Sequence, residues 1–549
     1  MSRNVPGTSH PRGPTVTRVR RRAQAVVTAP GRRLPLGYAD PPRRLATLHA
    51  DDANYSALQD RVWEVLHRSN DRGVWLVDHG GRPSWIVRAA NGPPMVQPLM
   101  DERLLLILAR ITNWVRRGSD GSDVRTRPPH AVVRGILAAP DTGLPPLEAV
   151  VTTPTVAPDG SIHERPGYDA GTRTFYAPAP GFAVPAVPTK PTPADIAVAL
   201  DAINEALGEF PYASAADRAN ACGMLLASFA RNLIDGPTPL HVVEKSTPGS
   251  GATLFADVVV RIVTGEPSAA MVVGDGHEEI RKRLSAKLFQ APSYVLLDNV
   301  VGRLDAPALA AALTATYVED RILGASSMVR VVVRCLWILT GNNPEFAPDL
   351  ARRLVRIRLD ARVERPENRA GFRHPDLRNW ASLHRTDLVH ASLVLIRAWI
   401  AAGRPPARSV PPFGGFESYA AVMGGILGHA GVNGFLGNLE EAKQLADGVS
   451  ASSRAFAAGW WKRFQSKTVG SRELVPIALA GDPPLALGGT TPHARTTAMG
   501  RTLSTLRDRV LPVGGGRHVR VELVSTYQGG HRWRLAPVGE NGSGKATPS

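Results

Sequence analysis

Short apolar runs of strand length alternate with helix-like patterns in the middle of the chain, between residues 236 and 385. The run VVEK is followed by a glycine-containing loop and then by LFADVVVRIV, whose apolar positions recur with a helical period. Two further apolar runs, SYVLLDN at 293–299 and VVVRCLWILTGNN at 331–343, are typical of buried strands. Strands that alternate with helices form parallel sheets covered by helices. The sequence therefore predicts an α/β core domain with a parallel sheet at 236–385.

The N-terminal side of this core has a different pattern, and residues 46–190 predict a mixed α/β domain. DANYSALQDRVWEVLHRS carries its apolar residues on one face of a helix. GVWLVDHGGRPSWIVR predicts a β-hairpin, because two apolar runs flank an Asp-His-Gly-Gly turn. DERLLLILARITNWVRR, at 101–117, predicts a second helix.

Helical patterns flank the core on both sides. Residues 191–235 predict a helical lead-in, and 386–468 predict a helical region. The segment 470–537 combines the basic amphipathic helix TAMGRTLSTLRDRV with two β-runs, RHVRVELVST and HRWRLAPV, separated by the turn residues YQGG. A helix followed by a basic hairpin predicts a winged helix, with His531 and Trp533 on the wing.

The two ends of the chain and its overall charge bear on the partner. Residues 1–45 are rich in Arg and Pro without periodicity and predict a disordered basic tail, and 538–549 predict a polar disordered tail. The 549 residues carry a formal net charge of +17. Such a surplus favours polyanions, with nucleic acid first and an anionic membrane second. Codon usage in a G+C-rich genome is an alternative source of the excess arginine.

Several classes of protein are disfavoured. The two cysteines, Cys222 and Cys335, lie in apolar surroundings, which fits a reducing cytoplasm and offers neither a disulfide framework nor a zinc site. The longest apolar helical stretch, 388–403, is too short to cross a bilayer and contains Arg397, so we expect a cytoplasmic protein without a membrane partner. No carboxylates in 46–190 have a spacing that favours the metal centre of a primase.

The loop after the first core strand has most of the pattern of a phosphate-binding loop. That pattern, G-x-x-x-x-G-K-[ST], presents backbone N–H groups, a Lys and a Mg²⁺-binding hydroxyl to a triphosphate. Here the eight positions run from Ser246 to Thr253, with Ser246 in place of the first Gly and Ala252 in place of the Lys. A Lys at the end of the strand either swings into the site or is solvated. The candidate ATP-binding residues are Lys245, Pro248, Gly249, Ser250, Gly251, Ala252 and Thr253.

Polar residues at the ends of the other core strands complete the candidate site. Asp298 closes a strand, as expected of a residue that holds Mg²⁺ together with Thr253. Asn299 follows where a proton-accepting Glu often stands, and it can orient water without taking its proton. Asn342 ends the next strand, in place to sense a γ-phosphate. Arg352 and Arg353 follow, and in a ring either one is suited to act in a neighbour's site. We expect these four elements to meet at the carboxyl edge of the sheet.

A family resemblance rests on the same residues. The segment LTATYVEDRILGASSMVRVVVRCLWILTGNNPEFAPDLARRLVRIRLD resembles the superfamily 3 helicase core of phage, plasmid and poxvirus-type primase-helicases. The likeness lies in a Thr-rich segment with Asp and Arg, a strand ending in Thr-x-Asn, and an Arg-Arg-Leu element. It covers roughly 195–365 and, loosely, 470–537. The block at 159–178 resembles the Gly-Tyr-Asp segment that precedes such cores.

The resemblance implies an AAA+-type core in a hexameric ring that hydrolyses ATP and translocates on single-stranded DNA. It also implies a hairpin in the central channel whose basic residue grips the strand, a role that falls to Arg321 or Arg330. In the C-terminal segment the candidate phosphate contacts are Arg501, Arg507, Arg509, Arg520, Arg532 and Arg534. Alternatively, this segment packs against the ring or binds a partner protein.

Three hypotheses follow. The first is a DNA-dependent ATPase or helicase of a phage or mobile element, using ATP and Mg²⁺ and acting on single-stranded or forked DNA. The second is a degenerate AAA+-like scaffold, loader or initiator that binds DNA without hydrolysis, because Ala252, Ser246 and Asn299 depart from the catalytic pattern. The third, a transcription regulator, depends on the winged helix alone.

Overall fold

The computed structural model describes residues 45–88, 93–245, 247, 249–272, 276–321, 328–407, 409–441, 448–527 and 530–538. The predicted tail at 1–45 lies outside these residues except for its last one, and the tail at 538–549 except for its first. The described elements belong to one compact unit, which begins at residue 35.

A four-stranded parallel sheet forms the centre of the core. Its strands are β12 (Leu240–Lys245), β13 (Tyr294–Val300), β17 (Leu336–Asn342) and β19 (Leu354–Leu359), in the order β13-β17-β12-β19. All three neighbouring pairs run parallel, and an isolated bridge from Ala270 to Leu296 extends the sheet beyond β13. The α/β core with a parallel sheet that the sequence predicts is therefore present.

Successive side chains of these strands face two different hydrophobic clusters, because side chains alternate across a strand. Val243 and Ile357 pack with α6, and Val242 and Leu354 pack with α7, α8 and α9. Both faces of the sheet are thus covered, which explains the near-continuous apolar runs in the sequence. The helices of the core are α6 (Ala252–Thr264), α7 (His277–Leu288), α8 (Pro307–Thr314) and α9 (Pro348–Ala351).

The sequence predicts one strand in the apolar run at 331–343, but the structure divides this run between two strands. β16 (Met328–Val332) pairs antiparallel with β15 (Tyr317–Arg321), and only then does β17 enter the central sheet. The turn between β15 and β16 lies outside the described residues. Two short parallel strands, β14 (Arg303–Leu304) and β18 (Glu345–Phe346), pair beside the core.

The N-terminal part contains three small helices and several short sheets. The predicted hairpin is present as β2 and β3, whereas the predicted helix at 101–117 ends at Ile111 and continues as β5, which pairs with β1. Thr112 and Trp114 are buried in that strand, so burial in a sheet overrides the helical pattern. The elements are β1 (Ala46–His49), α1 (Tyr55–Arg68), β2 (Leu76–Asp78), β3 (Pro83–Arg88), β4 (Pro94–Pro98), α2 (Asp101–Ile111), β5 (Thr112–Arg117), β6 (Asp123–Arg125), α3 (His130–Leu137), β7 (Ala149–Val151), β8 (Thr155–Val156), β9 (Ile162–His163), β10 (Gly167–Asp169) and β11 (Thr174–Tyr176).

Long helices before and after the core pack together on one side of the central sheet. They share a single large hydrophobic cluster with α6 and with the sheet residues that face it. The predicted helical lead-in corresponds to α4 (Pro193–Leu207) and α5 (Ala215–Phe229), and the predicted helical region to α11 (Arg385–Ala401), α12 (Glu417–His429) and α13 (Gly448–Phe464), of which α13 packs instead with the C-terminal elements. The cluster also includes α10 (Leu377–Leu383), which falls within the range predicted for the core.

The C-terminal elements have a hydrophobic cluster of their own, which includes Trp460, Met499 and Trp533. A four-stranded antiparallel sheet, in the order β20-β23-β22-β21, packs with α13 and two further helices. We call this group the C-terminal module; its remaining elements are β20 (Val469–Gly470), α14 (Ser471–Ala480), α15 (Pro492–Leu506), β21 (Val510–Pro512), β22 (His518–Tyr527) and β23 (Gly530–Val538). Trp533, predicted on an exposed wing, is 1% exposed and belongs to this core.

Among the residues that the structure describes, no helix has both the length and the apolar character needed to cross a bilayer.

The buried His241 in β12 gives the core a pH-dependent stability. Its Nε2 is 2.8 Å from the Tyr419 hydroxyl and its Nδ1 is 3.2 Å from the Trp337 carbonyl oxygen. Burial lowers the pKa of His241 from 6.5 to about 4. Below pH 6.5 the His241 imidazole is therefore protonated in the unfolded chain but stays neutral in the folded chain. The free energy of unfolding falls as the pH drops towards 4.

We expect the free energy of unfolding to fall by about 1 kcal/mol between pH 7 and pH 5.5, and by about 3 kcal/mol over the whole window to pH 4, through this histidine. Urea unfolding at several pH values gives the slope of the free energy of unfolding against pH for the wild type and for His241→Gln. The variant should lose the part of this slope that comes from His241. Parallel slopes for the two proteins would show that His241 does not titrate as described.

Candidate functional site

The loop between β12 and α6 has the backbone of an anion-binding turn. Gly249 and Gly251 both adopt left-handed conformations, with φ of 88° and 94°, and Gly251 is the N-cap of α6. The Ser250 hydroxyl donates to the Thr247 carbonyl oxygen at 2.7 Å and closes the turn. The loop thus leads directly to the positive end of a 13-residue helix, where backbone N–H groups favour an anion. Ser246 and Pro248 lie outside the described residues.

Ala252, which occupies the position of the usual lysine, begins α6 and is 1% exposed. A cation next to the loop comes instead from the strand. Lys245 is the last residue of β12, and its Nζ lies 3.4 Å from the Asn299 side-chain oxygen. Its own carbonyl oxygen accepts from the Asn343 backbone N–H at 3.2 Å. The ammonium group is therefore directed along the carboxyl edge of the sheet towards the end of β13.

Asp298 connects three elements of the candidate site. The Thr253 hydroxyl, from the first turn of α6, donates to Asp298 Oδ1 at 3.0 Å. The Thr340 hydroxyl, from β17, donates to the same oxygen. Thr340 in turn accepts from the Asn299 backbone N–H at 2.8 Å. The carboxylate and two hydroxyl oxygens thus meet where β13, β17 and α6 approach one another.

The two asparagines stand on either side of this centre. Asn299 has a φ of 55°, a left-handed conformation that Asn tolerates better than most residues. Asn342 pairs with Lys245 in the sheet, and its side-chain oxygen is buried with no hydrogen-bond partner among the described residues. A buried acceptor without a donor costs about 1–3 kcal/mol, so this atom marks a place for a missing ligand or water.

The arginine pair lies at the opposite edge of the sheet, so the expectation that all four elements meet is wrong for this element. Arg353 precedes β19, and its carbonyl oxygen accepts from the N–H of Leu240, the first residue of β12. The length of a six-residue strand, roughly 15–20 Å, therefore separates the pair from Lys245. Both guanidinium groups contact Asp349; Arg352 has 65% of its side chain exposed and Arg353 has 11%.

Sequence reasoning missed two further features around the loop. Glu244 is 5% exposed and receives hydrogen bonds from Arg356 at 2.6 and 2.8 Å, which joins the end of β12 to β19. Burial alone would lower the pKa of Arg356, but the hydrogen bonds and charge of Glu244 raise it above its usual value. The second feature is a 3-10 turn, Pro366–Asn368, that covers Gly249. These contacts join residues more than 100 positions apart, so no local pattern could reveal them.

The β15–β16 hairpin carries both arginines that the family resemblance singles out. Arg321 is exposed at the described end of β15, and the Arg330 guanidinium lies 4.3 Å from the centre of the Tyr317 ring. Near its turn the hairpin is held by Arg281 and the Ser285 hydroxyl of α7, which both contact Asp320. A turn of the N-terminal part also packs against it.

That turn contains Gly80, with a φ of 66°, between β2 and β3. A Cβ on Gly80 would stand 2.7 Å from a methyl group of Val329 and 3.0 Å from the Arg330 carbonyl oxygen. The N-terminal turn and β16 are thus in contact through backbone that has no room for a side chain.

All six candidate DNA-binding arginines of the C-terminal module are exposed. Three have acidic neighbours: Arg507 contacts Asp508, Arg532 contacts Glu473, and Arg534 contacts Glu522. Those on the hairpin alternate with buried apolar residues, so they share its outer face. The three candidate arginines not named in these ion pairs are Arg501, Arg509 and Arg520.

No protein-family model matches the chain, and no curated protein matches it. Among solved structures, the apo A form of the NrS-1 C-terminal region is similar, with 13% identity, a TM-score of 0.41, and coverage of 86% of this chain and 98% of that one. The JCV helicase is similar at 15% identity and a TM-score of 0.20, over 43% of this chain and 67% of that one. Likenesses at this level leave the function to be argued from the site itself.

The contact of Gly249 with the 3-10 turn gives a testable prediction. A Cβ on Gly249 would lie 2.9 Å from a carboxylate oxygen of Glu367 and 3.0 Å from its backbone N. Gly236 has nearly the same φ, 89°, and nothing within 4 Å of its Cβ position. Both alanine variants lose about 1–2 kcal/mol through the left-handed backbone, and Gly249→Ala should lose about 1 kcal/mol more through the contact.

Thermal or urea unfolding of the two variants measures this difference. Equal destabilisation of Gly249→Ala and Gly236→Ala would mean that the turn at Glu367 does not press on the loop.

Proposed function

We propose that this chain is a DNA-dependent nucleoside triphosphatase, a helicase-like replication protein of a phage or mobile element that works in the cytoplasm. The observation that carries the proposal is the convergence on Asp298 of a helix-terminal hydroxyl and a strand hydroxyl, with a strand-end lysine held beside it by the adjacent Asn299. A structural role for one carboxylate would explain one of these contacts. Their meeting at the carboxyl edge of a parallel sheet, beside a left-handed glycine loop, is what triphosphate chemistry requires.

The residues present fit a magnesium–triphosphate group. The loop from Gly249 to Thr253 would hold the phosphates through backbone N–H groups, and Thr253 and Asp298 would hold the metal. Mg²⁺ is commonly bound by one or two carboxylates together with substrate phosphates and water. When bound, the ion neutralises phosphate charge.

The cation of the site belongs to β12 in this proposal. Lys245 supplies a positive charge from the strand side, where the usual loop lysine would supply it from the helix. Asn299 accepts from this ammonium group and keeps it at the sheet edge. The unpaired oxygen of Asn342 is placed to orient a water molecule beside the terminal phosphate. Because neither asparagine can take a proton, we expect turnover to be slow.

The remaining parts of the machinery require a second subunit and a strand of DNA. Arg352 is exposed at the far edge of the sheet, so it acts on a nucleotide only if another copy of the chain, as in a hexameric ring, brings its site there. The β15–β16 hairpin presents Arg321 and Arg330 to single-stranded or forked DNA. The C-terminal module is a winged helix in this proposal, and its exposed arginines contact phosphates. The domain divisions inferred from the sequence are kept in this proposal, except that α13 joins the C-terminal module.

The first test is turnover. ATP hydrolysis should rise with single-stranded DNA and fall about 100-fold in Asp298→Asn, because the amide cannot neutralise charge but keeps the shape of the carboxylate. Asp305→Asn makes the same exchange at an exposed position and should hydrolyse ATP like the wild type. If all three proteins, with and without DNA, show the same background rate, the enzymatic proposal is abandoned.

A second candidate function, a DNA-binding scaffold or loader without turnover, is favoured by the buried methyl group of Ala252. The variant Ala252→Lys restores the usual cation. If the scaffold reading is right, the wild type should be inactive and Ala252→Lys should hydrolyse ATP at least about tenfold faster. A wild-type rate equal to that of the variant rules the scaffold out and supports Lys245 as the working cation.

A further inference from the structure

A cleft of about 950 Å³ separates the central sheet from the C-terminal module. One wall is the face of β12 and β19 that carries Glu244, Arg356 and Arg358, and the other includes Thr505 and Arg509, at the end of α15 and just beyond it. The described lining includes no residue of the glycine loop or of the β15–β16 hairpin, although Glu244 and Asn343 adjoin Lys245 and Asn342 at the end of the sheet.

The charged side chains of this cleft have a positive surplus. Its described lining contains four arginines and two glutamates, namely Arg303, Arg356, Arg358, Arg509, Glu244 and Glu345. Glu244 is fully engaged with Arg356, which leaves three guanidinium groups facing one exposed carboxylate. A cleft lined by one sign of charge concentrates ligands of the opposite sign.

Individual side chains also lack partners that an anion would supply. The Nε atom of Arg358 is buried and has no hydrogen-bond partner in the described part of the chain. Arg303 and Arg509 are exposed. The hydroxyl groups of Thr502 and Thr505 donate to carbonyl oxygens of their own helix, each at 3.1 Å. The arginines are therefore the donors that remain for an anionic ligand.

The size and lining of the cleft indicate the form of that ligand. Ligand pockets usually measure about 300–1,000 Å³, so this volume admits a few nucleotides of a single strand. A duplex instead needs an open surface, because its protein interfaces bury about 1,000–2,500 Å². Phe346 is the aromatic residue of the described lining, and it is 8% exposed. Binding would thus depend on phosphates and not on base stacking.

We propose that this cleft holds single-stranded DNA by its phosphodiester backbone, between the core and the C-terminal module. The inference rests on the proposed function in taking DNA as the partner, and it adds a second wall, on the core, to the arginines of the module. The module then acts as one side of a clamp whose other side is the sheet face at Arg358. The strand is bound independently of its sequence.

The test uses the full chain and a fluorescent oligothymidylate, with binding followed by anisotropy over a range of salt concentrations. Arg303→Gln and Arg358→Gln alter the core wall, and Thr505→Glu adds a carboxylate to the module wall at an exposed position. Each should weaken binding at least about threefold, and each lost phosphate contact should flatten the slope of log K against log salt by about 0.7.

Two controls separate the cleft from general effects of charge and folding. Arg68→Gln removes one charge from a side chain that is 71% exposed on α1, and Ser504→Gln makes a change of similar size at an exposed neighbour of Thr505 outside the described lining. Both should bind like the wild type. Melting temperatures identify any variant that fails to fold, and Arg303→Gln and Thr505→Glu, at exposed positions, keep the test decisive if Arg358→Gln does not fold. The proposal is overturned if both of those variants keep the wild-type affinity and slope. It is also overturned if the substitutions at the cleft arginines weaken the binding of duplex DNA more than the binding of the single strand.

The outcome is distinguishable from failure of the proposed function. If the cleft variants lose DNA binding and the wild type shows no ATP turnover, the cleft proposal is supported and the enzymatic proposal is abandoned. If DNA stimulates ATP turnover but the cleft variants bind DNA as well as the wild type does, the enzymatic proposal is retained and the cleft proposal is abandoned.

Discussion

The parallel register of the central sheet is the constraint on which the candidate site depends. β12, β13 and β17 run in one direction, so their last residues come to the same edge although they are separated by up to about 100 positions in sequence. The Asp298 carboxylate at the end of β13 then connects to β17 and to α6, the helix that follows β12, through two hydroxyl groups. A hairpin connection between any two of these strands would have sent one end to the far side, and no single carboxylate could have bridged them.

A lysine at the end of a strand is anchored differently from a lysine at the start of a helix. The ordinary loop lysine begins the helix and moves with the loop, whereas Lys245 is fixed by ladder hydrogen bonds to strands on both sides. The adjacent Glu244–Arg356 ion pair strengthens that anchoring, because it is buried and joined by two hydrogen bonds. The backbone of Lys245 is therefore fixed relative to Asn342, and its ammonium group reaches Asn299 from that anchored position.

The sequence reveals the features that are local and periodic. Apolar runs locate β12, β13 and β17, and the glycine loop marks the start of α6, because burial on both faces of a sheet leaves a continuous signal. The helix predicted at 101–117 ends early, since pairing with β1 outweighs its helical period from Thr112 onward. The β15–β16 hairpin divides a run that appears continuous in sequence. Glu367, Thr340 and Arg356 acquire their roles only through contacts between distant segments, which one sequence cannot show.

The close approach of Gly80 to β16 has a mechanical consequence. The Gly80 backbone lies directly against methyl groups of Val329 and Val331 and against the Arg330 carbonyl oxygen, so close packing leaves no gap to absorb a displacement of either segment. A nearby hydrogen bond of 3.3 Å, from the Val96 N–H to the Gln290 carbonyl oxygen, ties the same N-terminal sheet to the core just beyond α7. Through these two attachments the N-terminal sheet touches both the hairpin and the segment after α7, so a shift of β16 would press directly on the turn between β2 and β3.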